Sequence, residues 1–199
     1  MACAFLLVAA QGSSLARGPQ AGPTPQPQTP KYVPPTQADR NRDYLRSLVN
    51  PVGVVAAAAG SGISQWRNTP HEWKQGGAAY GLRFVNSYGY NVVRETLMFG
   101  ASSLLGEDNR YLPSPRPGGK TRLWYAIEST FLSRREDGSR RFSYSRIGAT
   151  LGTGFLSRTW QPSSSRTPQN AASFFGISMA VQVGFHVAHE FVPFMRKRR

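Results

Sequence analysis

Residues 167–194 read TPQNAASFFGISMAVQVGFHVAHEFVPF, and the class of fold turns on how this stretch is understood. Thr167 offers a hydroxyl cap, and Pro168 follows in the first turn, where its missing N–H goes unneeded. Ala172, Gly176, Ala180, Gly184 and Ala188 then recur at every fourth position. Residues four apart share a helix face, so these five predict a smooth strip against which another backbone can pack. Large apolar residues, among them Phe174, Phe175, Ile177, Met179 and Val181, cover the rest. Gln182, His186, His189 and Glu190 crowd the second half, leaving a clean apolar run only over residues 171–181. That is short of the about 20 residues needed to span a bilayer. The expectation is therefore the central packing helix of a bundle, followed by a basic tail over residues 196–199 that suits an anionic surface.

Shorter versions of the same ladder recur at Gly53/Ala57/Ser61/Gln65, Gly77/Gly81 and Gly148/Gly152, which supplies this helix with partners. Working outward, a short helix is expected over residues 43–48, then a second over 52–66 behind Asn50 and Pro51, which make a cap and first-turn proline. Thr69, Pro70 and Glu72 read as a capping box that opens a long helix running to Leu105, with a break at Gly76 and Gly77. Phe84, Tyr88 and Val92 mark its apolar face, and Arg83, Asn86, Arg94 and Glu95 interrupt it too often for a simple membrane span. Two further helices are expected over residues 120–135 and 143–160. Their apolar faces are Leu123/Ile127/Phe131 and Ile147/Leu151/Phe155. Tyr88–Glu95 also faintly echoes the order of residue types in 183–190, as two helices solving one packing problem would.

The 199 residues suffice for one domain with a sizeable core. Twenty-four basic against ten acidic side chains give a net charge of +14, which favours anionic partners such as lipid headgroups or envelope polymers. Zinc-finger spacing, an RNA-binding aromatic strand and a dedicated basic helix are all missing, so nucleic acid is not the expected partner. Cys3 is the single cysteine, which rules out an intrachain disulfide. An apolar run over residues 2–10 precedes two small-residue cleavage patterns, ending at Ala10 and at Ala16, so residues 1–16 read as a signal peptide. Residues 17–38, rich in proline and glutamine, read as a tether, and residues 39–195 as the helical domain.

Between the helices lies Gly106-Glu107-Asp108-Asn109-Arg110-Tyr111, followed by Pro113, Pro115 and Pro117 in a stiff loop. Glu107 and Asp108 would suit a catalytic carboxylate pair. With Arg110 and Tyr111 beside them, the expected role is instead structural, a loop held by ion pairs and hydrogen bonds. The stretch Leu104-Leu105-Gly106-Glu107-Asp108-Asn109-Arg110-Tyr111-Leu112 resembles a D-x-R-Y motif of uncharacterised exported bacterial proteins. Those proteins also carry a Gly- and Ala-rich helix before it and a basic segment like Phe142-Ser143-Tyr144-Ser145-Arg146-Ile147 after it. The resemblance implies export and brings no activity with it.

For metal chemistry the one candidate set is His186, His189 and Glu190 near the end of the last helix, at a spacing that matches no zincin motif. The expected reading is a satisfied polar stripe, with no metal centre and no cofactor. Walker loops, dinucleotide fingerprints and nucleophile elbows are all missing from the sequence. The expectation is thus a mostly α, single-domain bundle of about five helices packed through Gly/Ala faces. Its expected role is structural or interaction-based in the envelope, with a membrane or anionic envelope surface, a second copy or partner helices as partners. The alternatives are an outer-membrane β-barrel, supported by a hairpin pattern around Glu136-Asp137-Gly138-Ser139 and by alternation over residues 141–147, and, behind it, a periplasmic metal-dependent enzyme using His186, His189 and Glu190.

Overall fold

The computed structural model describes residues 32–192. The signal-peptide reading of residues 1–16, Cys3, the tether up to residue 31 and the basic tail lie outside the described residues.

Helix α1 (Gln37–Leu48) starts inside the stretch read as tether. Thr36 and Asp39 form a reciprocal capping box there, so folded structure begins earlier than residue 39. Helix α2 (Pro51–Trp66) follows directly, its first turn capped by Asn50 with Pro51 next, as expected. Helix α3 (Gly77–Leu105) ends at Gly106, whose φ of 62° is the left-handed conformation that closes a helix and that glycine adopts without strain. Helix α4 (Gly119–Phe131) leads into the hairpin β1 (Leu132–Arg134) and β2 (Arg140–Phe142), then α5 (Tyr144–Leu156) and α6 (Pro168–Phe191) complete the described chain.

The fold is mostly α, as expected, but two local expectations fail. The Thr69/Glu72 capping box does not form. The Thr69–Pro70 peptide is cis, only a single 3-10 turn follows over His71–Trp73, and Glu72 reaches across to the Ser164 hydroxyl, 2.9 Å away. The Arg83 guanidinium gathers the carbonyls of Thr69, Pro70 and Lys74, so those groups point at a cation instead of along a helix. The helix expected over residues 120–135 stops at Phe131, because Asp108 and Arg134 exchange both backbone hydrogen bonds and hold the chain extended. The hairpin around residues 136–139 is real, yet it pairs only Leu132 with Phe142, Ser133 with Arg141 and Arg134 with Arg140. Helices flank it on both sides, so there is no barrel among the described residues.

Helix α3 is the hub. Helices α1, α2 and α5 all pack on it; α5 in turn packs on α6, and α6 on α4. The helix predicted to be central, α6, therefore sits towards one side. Its small-residue ladder does not pack within the chain: Ala172, Gly176, Ala180 and Gly184 are exposed, Ala188 is half-buried, and a Cβ added at Gly176 or Gly184 would meet nothing within 4 Å. The face two residues on, about 200° round the helix, turns inward instead: Phe174, Ser178, Gln182, His186 and Glu190.

The same inversion runs through the whole molecule. Leu123 and Phe131 of α4, Leu151 and Phe155 of α5, and Ile177 and Val181 of α6 are all exposed. Among the described residues, four alanines and Met179 make up the buried apolar side chains, while Arg83, Glu107, Arg146, Glu190, Thr130, Thr150 and Thr153 are almost wholly inside. Several buried hydroxyls bond back within their own helices. Ser61, Thr150 and Thr153 each donate to the carbonyl four residues back at 2.7–2.8 Å.

Close approach belongs to α5. A Cβ on Gly154 would lie 3.3 Å from the Ala171 carbonyl oxygen and 3.4 Å from the Phe174 ring. Gly154→Val is therefore expected to destabilise the chain by about 1–3 kcal/mol through overpacking. By contrast, Gly176→Ala on the open face should be neutral or stabilising by about 0.5–1 kcal/mol. Thermal unfolding of the two variants checks the contrast, and equal losses at both glycines would contradict this packing.

Candidate functional site

Two polar clusters share the hairpin end of the molecule. The first grows from the left-handed turn at Gly106, after which the chain crosses that end with each side chain committed to a different element. Glu107, fully buried, accepts from the backbone N–H of Tyr144 at 3.2 Å and of Ser145 at 3.0 Å, and from the Ser145 hydroxyl at 2.6 Å. It thus sits at the N-terminus of α5, where exposed N–H groups favour a carboxylate, with Arg135 3.4 Å away. Asp108 takes a two-pronged grip from Arg110, at 2.8 and 2.9 Å, and a hydrogen bond from the Tyr32 hydroxyl at 3.0 Å. Asn109 bridges Ser143 and Ser145, both at 2.7 Å.

Arginines close the carbonyl ends of helices around this knot. Arg40 donates to the Glu107 carbonyl at 2.6 Å, just past the end of α3. Arg146, buried and outside any ion pair, donates to the carbonyls of Ser129, Thr130 and Asn109 at 2.7–2.8 Å. Ser129 and Thr130 lie in the last turn of α4, where unsatisfied carbonyls favour a cation.

The second cluster lies along the inward face of α6. Glu190, 1 % exposed, accepts from the Tyr111 hydroxyl at 2.7 Å, from Arg122 Nε at 2.9 Å and from the Ser114 N–H. One turn earlier, His186 lies under the Tyr111 ring, with centroids 4.5 Å apart. The Gln182 amide donates to His186 Nε2 at 3.1 Å, which leaves the ring proton on Nδ1, donated to the Thr130 hydroxyl at 3.1 Å. Gln182 in turn meets Arg94 at 3.4 Å, and Arg94 pairs with Glu95 at 2.5 Å. A continuous polar line thus crosses the interior from α3 to α4.

Electrostatics follow the geometry at the knot. Burial alone would raise the Asp108 pKa, but the Arg110 guanidinium and the Tyr32 hydroxyl outweigh it and hold the carboxyl below its ordinary 3.8. The Tyr32 hydroxyl is pushed up to about 12 by burial and by the neighbouring Asp108 charge. Tyr111 is raised too, by burial and by its bond to Glu190.

The candidate metal ligands His186, His189 and Glu190 are not assembled into a ligand set. His186 and Glu190 are each engaged with side chains of other elements, and no group of three His, Cys, Asp or Glu able to hold a metal occurs among the described residues. Of the loop residues, Asp108 and Arg110 pair with each other, Glu107 goes to the start of α5, and Tyr111 goes to Glu190 in the second cluster. His189 lies close to the Tyr111 ring, 5.8 Å between centroids. Sequence reading missed Arg40, Arg83, Arg122, Arg146, Thr130 and Gln182. The visible signal was the four-residue spacing of Ser178, Gln182, His186 and Glu190, a polar ladder as regular as the alanine and glycine one.

Two cavities flank α3. One, about 170 Å³, lies between α1 and the knot beside Tyr44, Glu95 and Phe99. The other, about 180 Å³, lies at the opposite end among neutral polar groups including Asn86, Tyr90, Gln161 and Asn170.

Removing the Glu190 carboxylate leaves Arg122 without its partner, so Glu190→Leu is expected to cost about 3–5 kcal/mol in chemical unfolding. For Asp108 the folded-state pKa is depressed, so its contribution is present above about pH 4 and is lost as pH falls through the folded value. Asp108→Asn should accordingly lower stability at neutral pH and give a shallower acid limb below pH 4; an unchanged acid limb would contradict the Arg110 pairing. Compared with protein-family models, with curated proteins and with solved structures, the chain matches none.

Proposed function

We propose that this chain is a membrane-embedded helical protein of the cell envelope with a structural or interaction role. The observation that carries the reading is the inversion of α4, α5 and α6, which turn large apolar side chains outward and small or polar ones inward. Water would drive the opposite arrangement, whereas lipid demands that polar groups be satisfied inside.

Two stretches, Gln37–Trp66 (α1 with α2) and Pro168–Phe191, each hold an 18-residue window apolar enough to cross a membrane, with mean hydropathies of 1.3 and 1.4. A core helix of a water-soluble protein would be mostly buried, yet only 11 % of each window is. Along α6 the rise per residue gives about 36 Å, enough for the hydrocarbon layer. Buried serines and threonines bonded back to their own helices, and glycine contacts between α5 and α6, suit packing without a hydrophobic driving force. Exposed aromatics also gather towards the ends: Trp66 and Trp160 at one, Tyr144 at the other, positions that favour the water–lipid boundary. The outward ladder of α6, from Ala172 to Gly184, leaves a strip where a second copy or a partner helix can lie close. The exposed basic residues add an anionic envelope surface as partner.

The expected outcome of an alkaline carbonate wash is that the chain stays with the membrane pellet. In vesicles of brominated lipid, the emission of the exposed Trp66 and Trp124 should be quenched. Full release into the supernatant together with unquenched tryptophan would sink the membrane reading.

A further inference from the structure

We infer that the cleft between α1 and the knot after α3 binds the phosphoethanolamine headgroup of a phospholipid, its phosphate on Arg40 and its ammonium on Asp43. This rests on the membrane reading above and names a lipid that the bundle holds.

Charge is matched almost everywhere around this cleft of about 170 Å³. Of the four carboxylates that line it, Glu95 pairs with Arg94, Glu107 with Arg135 and Asp108 with Arg110. Asp43 is the fourth, half-buried and in no ion pair. The two other described carboxylates outside ion pairs, Glu136 and Asp137, are exposed. Arg40 is its counterpart among the cations. It lines the same cleft, has no carboxylate partner, and donates through Nη1 to the carbonyls of Ser102 and Glu107.

Residues 40 and 43 are three apart on α1 and share a face, yet they do not pair with each other. The Glu107 carbonyl, 2.6 Å away, draws the guanidinium past the end of α3 instead. The cleft thus holds one unmatched cation and one unmatched anion side by side. Half-enclosed charges without partners are costly, and a zwitterion meets both without changing the net charge.

The remaining walls are apolar. Tyr44 and Phe99 stack with centroids 4.6 Å apart, and Pro35 and Met98 line the cleft beside them. A cavity of about 150 Å³ holds a benzene ring, so this cleft takes a small headgroup and leaves the acyl chains outside. Those chains need an apolar surface nearby, and α1 leads into one. Helix α1 carries Asp39, Arg40, Arg42, Asp43 and Arg46, whereas α2 has no charged residue from Pro51 to Trp66. Exposed Val49, Val52 and Val55 begin that surface. In the membrane reading, the cleft therefore lies at headgroup depth beside α2. A primary ammonium donates hydrogen bonds to a carboxylate, which the methylated ammonium of phosphatidylcholine does not, and phosphatidylglycerol brings no cation.

The test uses the full chain purified in mild detergent, with short-chain lipid binding read by titration calorimetry. Dihexanoyl phosphatidylethanolamine should bind saturably, about tenfold or more tighter than the matching phosphatidylcholine or phosphatidylglycerol. Asp43→Asn, which removes no ion pair, should weaken that binding by about tenfold or more, as loss of one charged hydrogen bond requires. Glu136→Gln, at a carboxylate that does not line the cleft, should leave it unchanged. Equal affinity for the three lipids, or unchanged affinity in Asp43→Asn, overturns the site. Free phosphoethanolamine separates the two sources of this chemistry: binding as tight as the lipid's assigns the cleft to a soluble zwitterion and overturns the lipid assignment. A chain that stays with the membrane in carbonate but binds none of these loses the site alone. Release by carbonate overturns the membrane reading and the lipid assignment with it.

Discussion

The carboxyl group of Glu107 is wholly enclosed, and the donors around it come from the start of α5, from Ser143 and from Arg135 of the hairpin. Hydrogen bonds to a charged group are each worth about 1.5–3 kcal/mol, and leaving such a group unmet costs more. The end of α3, the hairpin and the N-terminus of α5 must therefore reach their places together. Once α5 is anchored at that point, its direction is set. Arg146 then reaches the carbonyl end of α4, and Gly154 lies against α6. The last two residues of the same short stretch carry the constraint further, Arg110 to Asp108 and Tyr111 to Glu190.

Burying charge in this way would be an odd choice for a protein with a large oily core, but here there is none to compete. The interior is made of alanine, serine, threonine and paired ions, and the specificity of packing comes from hydrogen bonds. Arg94 with Glu95 and Arg122 with Glu190 are matched pairs, while Arg83 and Arg146 are matched by carbonyls. A guanidinium is suited to both tasks, since its planar fork of donors can serve several oxygens at once.

Helix positions were largely legible from local chemistry. Asn50 with Pro51 and Thr167 with Pro168 mark real helix starts, and Gly106 a real end. What sequence periodicity could not decide was which face turns inward, because it identifies stripes and not the medium they meet. The alanine and glycine stripe of α6 was assigned to the interior and lies outside, while the polar stripe through Gln182 and His186 was assigned little and lies inside. Thr69-Pro70-His71-Glu72 failed for another reason. The capping pattern is local, and the Arg83 guanidinium, coming from more than ten residues away, claims the same backbone oxygens. Of the candidate site, the segment from Glu107 to Tyr111 stood out by composition, but its partners in α5, β1 and α6 come together only in three dimensions.

The serine and threonine hydroxyls that bond back to their own helices have a mechanical consequence. Thr150 and Thr153 of α5 make no demand on the neighbouring helices, so α5 meets them there without a directional side-chain bond, whereas Ser61 of α2 also bonds the Ser87 hydroxyl of α3 at 3.2 Å. At the hairpin end, by contrast, Glu107 and Glu190 pin the helices with charged hydrogen bonds. The other end is tied by charge as well, through Arg83 on the loop carbonyls and Glu72 on Ser164. Between these two anchored ends, the stretch of α5 from Thr150 to Gly154 rests against its neighbours on shape alone.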